Sequence, residues 1–246
     1  MAVGTLTAIP VPAPRTIDAR VARRAMVLAP IAVTPLAALA CLIVAAGQLL
    51  TLFPLVTAVL AAGAVVLGSR GLHLDGLADT ADGLSASYDR ARALAVMRRG
   101  DVGPMGVATL VLVLLGQVGA LTGAIVAGHG VLAAAIGVLA SRLMLTLCCV
   151  RGVPAARRDG LGTIVAGSVS PWQAAVALGA GIVLAALAGT LTGLPMWRGA
   201  LAVVLAAIAA AVLLARCVQR LGGVTGDVLG GCVEVAALAA LLALAA

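Results

Sequence analysis

The sequence predicts an all-α, polytopic membrane bundle of about seven transmembrane helices, forming a single catalytic domain over residues 1–246. Composition is the first reason: 63% of residues are hydrophobic and 10% charged, against about 25% charged in a soluble domain. The mean hydropathy of +1.21 would leave a water-soluble fold with too much apolar surface to expose. The second reason is pattern, because apolar stretches of bilayer-spanning length recur along the chain. The third is the placement of arginine, which supplies all 16 basic residues.

The expected spans are 27–47, 51–68, 105–127, 130–150, 172–193, 199–215 and 228–246. Arg15, Arg20, Arg23 and Arg24 precede the first, and Arg70, Arg90, Arg92, Arg98 and Arg99 follow the second. Arg151, Arg157 and Arg158 follow the fourth; Arg216 and Arg220 follow the sixth. With seven spans these all fall on one side, which the positive-inside rule makes the cytoplasm. The N-terminus is then inside and the C-terminus outside, in a bacterial inner membrane. One missed span would scatter the later arginines onto both faces. Thr16 is the expected cap of a short amphipathic helix, with Arg20, Arg23 and Arg24 toward water and Ile17, Val21 and Leu28 toward lipid.

Other classes are excluded on similar grounds. The net charge of +7 would suit nucleic acid, but aromatic residues are only 2% and the arginines lie between apolar spans, so no nucleic-acid partner is expected. The five cysteines sit in or beside apolar stretches without zinc-site spacing and read as reduced core residues. The first fifteen residues lack a signal-peptide pattern, so the N-terminus is expected to stay in the mature chain.

The long hydrophilic segment 69–104 carries the chemistry. Its acids Asp75, Asp79 and Asp82 stand at i, i+4 and i+7, on one face of a helix. Such stacked like charges repel, and a helix that keeps them normally needs a cation. Carboxylate oxygens suit Mg²⁺, which commonly takes one or two carboxylates plus substrate phosphates. The small spacers Gly76, Ala78, Ala81 and Gly83 would let a phosphate approach the backbone.

A second polar island sets Gly222, Gly223, Gly226, Gly230 and Gly231 around Asp227, followed by Glu234 inside the apolar region. An intramembrane acid is a functional candidate by default, or a bundle-stabilising partner of Arg142. Asp227 and Glu234 are read as a second metal site or a base. Arg98, Arg99, Arg142, Arg157 and Arg158 are candidate phosphate binders, since guanidinium forks pair with phosphate. His73 is a candidate for metal or phosphate, and His129 is expected to be solvated.

These motifs carry a family resemblance. LHLDGLADTADGL at 72–84 followed by MRRGDVGPMG at 97–106 resembles the signature of the adenosylcobinamide-GDP ribazoletransferases, the membrane cobalamin synthases. Leu6-Thr7-Ala8-Ile9-Pro10-Val11-Pro12, Ser141-Arg142, Asp159-Gly160-Leu161-Gly162 and the stretch Gly222 to Gly230 resemble further family motifs in the same order. After Met97 the family often has Lys-Asp where this chain has Arg98-Arg99, and Asp101 is given no role.

The resemblance implies that α-ribazole or its 5′-phosphate displaces GMP from adenosylcobinamide-GDP. Mg²⁺ on Asp75, Asp79 and Asp82 would then neutralise the diphosphate, with Asp82, Asp79, Asp227 or Glu234 as catalytic carboxylates. His73, Arg98, Arg99, Arg142 and Arg158 would bind substrate, and the sequence leaves a homo-oligomer open. A CDP-alcohol phosphotransferase also cleaves a diphosphate with membrane aspartates, but its motif puts arginine where this chain has Asp79. A UbiA-type prenyltransferase needs two Asp-rich motifs. An ion-coupled transporter would spread its acids through several spans.

Overall fold

The structure, a computed structural model, describes residues 1–12, 14 and 16–245. Arg15, counted above, and Ala246, the end of the last expected span, lie outside the described residues. The described chain is helical: α1 Ala2–Leu6, α2 Ala19–Val27, α3 Ala29–Ala32, α4 Thr34–Leu49, α5 Pro54–Gly68, α6 Leu72–Ala86 and α7 Arg90–Val96. There follow α8 Pro104–Val126, α9 Gly130–Cys148, α10 Leu161–Val165, α11 Pro171–Leu191, α12 Met196–Leu221 and α13 Gly226–Ala243.

Five helices, α8, α9, α11, α12 and α13, are long and apolar enough to cross a membrane, or six if the bent pair of α5 and α6 counts as one span. The expected all-α membrane bundle is present, and the first two expected spans fall on the shorter apolar helices α4 and α5. The first expected span is divided, because Pro30 and Pro35 open α3 and α4 at positions where a helix cannot continue its hydrogen bonds. What remains is the 16-residue α4, shorter than the others. The second expected span survives as α5, 15 residues long. Asp18 rather than Thr16 caps α2, its Oδ1 accepting the Val21 amide at 2.8 Å. A carboxylate two residues nearer the helix start wins that position.

The core is built around α9. Of its apolar window 78% is buried, against 17% for α11, so α9 is central and α11 faces lipid. Met144 is fully enclosed, and Thr146 donates to the Met26 carbonyl at 2.9 Å, tying α2 to α9. All five cysteines are free, four of them buried, as expected for small core residues. His129 departs from expectation: it is buried and donates Nε2–H to the Leu244 carbonyl at 2.6 Å, closing the turn before α9 onto the end of α13.

At the arginine-rich end the chain does something the hydropathy pattern does not reveal. Arg70 (φ 57°) and Gly71 (φ 66°) adopt left-handed backbone, and the chain turns by 88° between α5 and α6. With three aspartates in 15 residues, α6 is too short and acidic to cross alone, and at this angle it runs along the bundle's end. It packs on α13 and α8. Gly76 and Gly230 permit the crossing: a Cβ on Gly76 would stand 2.6 Å from the Asp227 carbonyl oxygen, and one on Gly230 3.1 Å from the His73 Cα. Smallness here serves helix packing.

Candidate active site

α6 lies over the first turns of α8 and α13, where backbone N–H groups point out unpaired and the helix dipoles are positive. Its three acids meet this surface differently. Asp75 is exposed, Asp79 half-buried and Asp82 buried.

Asp82 was expected beside Asp75 and Asp79 as a third metal ligand or a base. Instead its Oδ2 accepts the Gly103 amide at 2.7 Å and its Oδ1 the Gly106 amide at 2.8 Å. It caps α8 from another helix, the favourable place for a carboxylate. Asp82→Ala should therefore destabilise the protein by about 1–3 kcal/mol for each amide left unpaired, and Asp82→Asn, which keeps one acceptor, by roughly half as much. Thermal unfolding in detergent measures this, and an unchanged midpoint for the alanine variant would remove the capping role.

Asp79 is half-buried among like charges. Burial first, then the neighbouring charges of Asp227, Asp75 and Asp82, raise its carboxyl to about 6, with Arg157 opposing. Asp227, from the first turn of α13, thus belongs to the same electrostatic cluster. Its Oδ2 accepts from the Thr225 hydroxyl at 3.1 Å and lies 3.5 Å from Arg157 Nη1.

Arg157, and not its neighbour Arg158, is the cation of this site. Two single-residue parallel bridges decide it, Val150 with Val169 and Ala155 with Val224. The first ties the start of loop 150–160 to the segment before α11; the second pins the loop to the glycine-rich approach of α13, where the Ala156 amide donates to the Val224 carbonyl at 2.9 Å. Gly223 takes φ 151° in that approach, a conformation that favours glycine. Arg157 then points inward, donating Nη2 to the Leu94 carbonyl at 2.9 Å, while Arg158 is exposed.

Between these elements lies a cavity of about 300 Å³, lined by Asp75, Asp227, Arg157, Asp159 and His73 together with Thr225 and several glycines. His73 is buried, and burial, then the Arg142 charge, hold its imidazole well below the usual value and so neutral. Among the described residues no three His, Cys, Asp or Glu side chains form a ready metal cage.

The remaining candidates do not line this cavity themselves. Arg98 pairs with both oxygens of Asp159 at 2.6 and 2.9 Å, an exposed contact worth about 0–1 kcal/mol. Arg99 is exposed. Glu234 lies deeper, where Gln117 donates Nε2–H to its Oε2 at 2.8 Å and to its carbonyl at 3.1 Å. Arg142, the expected partner of Glu234, lines the same small internal cavity of about 60 Å³, but no ion pair within 4.0 Å joins them among the described residues. Its nearest contacts are Ser141 Oγ at 2.9 Å and His73 Nδ1 at 3.4 Å. Gln117 had no signal in the sequence, being one amide in a long apolar run.

The fold is that of a multi-pass membrane protein with an acidic, arginine-flanked cavity at one end of its bundle. The family model for cobalamin-5-phosphate synthase, CobS, matches residues 1–245. An adenosylcobinamide-GDP ribazoletransferase of Nocardioides sp. is 47% identical over 245 residues, covering 100% of this chain and 96% of its own. The Frankia casuarinae protein of that name is 42% identical over 253 residues (98% and 91%), and one from Escherichia coli 35% over 181 (73% and 71%). No solved structure matches. The chain belongs to the cobalamin synthase family, the adenosylcobinamide-GDP ribazoletransferases, and is a transferase of cobalamin synthesis.

Proposed function

We propose that this chain joins adenosylcobinamide-GDP to α-ribazole, or to α-ribazole 5′-phosphate, and releases GMP in a Mg²⁺-dependent reaction at the cytoplasmic side of the inner membrane. The observation that carries the reading is the convergence of acids from two helices: Asp75 and Asp227 line one cavity with Arg157, and Asp79 feels the charges of both. The donor set fits Mg²⁺, since it offers hard carboxylate oxygens, with Asp79 raised by burial and then by its acidic neighbours, and Mg²⁺ needs only one or two carboxylates when phosphates complete its shell.

In this reading Asp75 and Asp79 hold the ion and Asp82 is a positioning residue. An ion held there would supply charge neutralisation of the diphosphate and of the departing GMP. Arg157 binds a phosphate oxygen with its guanidinium fork, which loosens its contact with Asp227. Asp227 then accepts the proton of the ribose 3′-hydroxyl as that oxygen attacks the cobinamide-bearing phosphorus and the bond to the GMP phosphate breaks. The arginine-rich end lies in the cytoplasm by the charge bias of the loops.

Purified protein given both substrates and Mg²⁺ should release GMP in step with a cobalamin product, and EDTA should stop it. Neither product forming with the ion supplied would end this reading. The pH dependence has a definite sign. A carboxyl raised to about 6 is protonated below that value, so the fold tolerates Asp79 at low pH and loses stability as pH rises through about 6. Mg²⁺ binds the charged form and offsets that loss. The rise in Tm given by Mg²⁺ should be large at pH 7.5 and nearly absent at pH 5. Equal shifts at both pH values would place the ion elsewhere.

A further inference from the structure

We propose that the cavity of about 300 Å³ is the subsite of the nucleoside acceptor, and that Leu6, Met26 and Leu145 form the wall that reads its base. This deepens the reaction proposed above and rests on it. Ligand sites commonly measure about 300–1,000 Å³, so this cavity is at the lower end, sized for one nucleoside and far too small for a corrinoid macrocycle, whose diphosphate alone would reach its polar edge.

The lining divides by element. The charged groups come from α6, loop 150–160 and the start of α13, which with the first residue of α10 also supply Leu72, Leu161 and Leu229; on the other side α1, α2 and α9 contribute Leu6, Met26 and Leu145, each only 3% exposed, with Thr5 of α1 beside them. Those three side chains have no hydrogen-bonding group to offer beyond a thioether sulfur. Guanine against them would leave its ring N–H, amino group and carbonyl unpaired. The dimethylbenzimidazole of α-ribazole presents a methylated carbon edge and loses nothing there. With the base on this wall, its ribose falls toward Asp75, Asp227 and Arg157.

The wall is held rigidly enough to discriminate. Arg70 Nη2 donates to the Gly4 carbonyl at 2.8 Å and the Ala8 amide to the Gly68 carbonyl at 2.6 Å, strapping α1 to the α5–α6 bend. The Leu6-Thr7-Ala8 motif thereby acquires a task, since Leu6 faces the cavity while Ala8 anchors the segment behind it.

The test compares α-ribazole with its analogue lacking both methyl groups, using full-length protein in detergent and following GMP release. The unmodified chain should prefer α-ribazole; Met26→Ala and Leu145→Ala should each reduce that preference about tenfold. The loss should appear in the KM for α-ribazole, with the KM for adenosylcobinamide-GDP unchanged. Met26→Leu conserves volume, should fold, and should shift the preference less than Met26→Ala does. An unchanged preference, or a rise in the donor's KM instead, would overturn the assignment. Fluorescence of the benzimidazole, titrated against protein without donor, tests binding apart from turnover. Failure to release GMP strikes the proposed reaction, whereas binding that ignores Met26 and Leu145 strikes the wall.

Discussion

Asp79→Asn should lower GMP release by about a thousandfold and leave the protein folded. A cation at a transferring phosphoryl group supplies several kcal/mol of transition-state stabilisation, and about 1.4 kcal/mol corresponds to tenfold in rate. Asparagine keeps the shape of the side chain and removes the charge. The stability effect runs the other way. Asp79 is pushed up by burial and by Asp227, Asp75 and Asp82, so the uncharged amide relieves repulsion and the metal-free protein should melt slightly higher above pH 6. Lower activity with undiminished metal-free stability separates a functional carboxylate from a structural one. A variant that keeps more than a tenth of the activity would remove Asp79 from the mechanism.

Gly76→Ala is the second large effect, and here two physical terms oppose each other. Helix propensity favours alanine over glycine by about 1 kcal/mol in a helix interior. Packing forbids it, because the new methyl would sit 2.6 Å from the Asp227 carbonyl oxygen and 2.9 Å from the Asp227 Cα. Those are main-chain atoms of a neighbouring helix and cannot rotate away as a side chain can. Packing should win, destabilising by about 3 kcal/mol and displacing α6 from α13, with activity lost. Gly63→Ala supplies the control: its Cβ would meet nothing within 4 Å, so propensity alone acts and the variant should be neutral or more stable. If Gly76→Ala behaves like Gly63→Ala, α6 and α13 do not meet as described. Denaturation in mixed micelles and GMP release read both variants.

The sequence made the acids legible and their environment only partly so. Spacing alone puts Asp75, Asp79 and Asp82 on one stripe of α6, but it carries no information about which helix ends that stripe will touch. Asp82 therefore looked like its neighbours until Gly103 and Gly106 were seen to claim it. The small spacers were noticed for a sound reason and given the wrong neighbour, since Gly76 admits a helix where a phosphate was expected. Arg157 and Arg158 are equivalent in a loop read as text, and only the Ala155–Val224 bridge distinguishes them. Span boundaries were least legible where prolines interrupt an apolar run, because hydropathy averages over the break at Pro30 and Pro35. The membrane bundle and its acidic segment were legible because they follow from composition and periodicity. The partners were not, because they depend on residues far apart in the chain.

That distance has a bearing on how the protein is made. The cavity is bounded by Thr5 at one extreme and Gly230 at the other, so a nascent chain leaving the ribosome has no such chamber until its final helix has inserted. Until then α6 waits with neither Asp227 nor the α13 terminus to lie against. Assembly of the catalytic chamber should be a late and nearly all-or-none event, and chains interrupted before α13 should be inert and readily degraded.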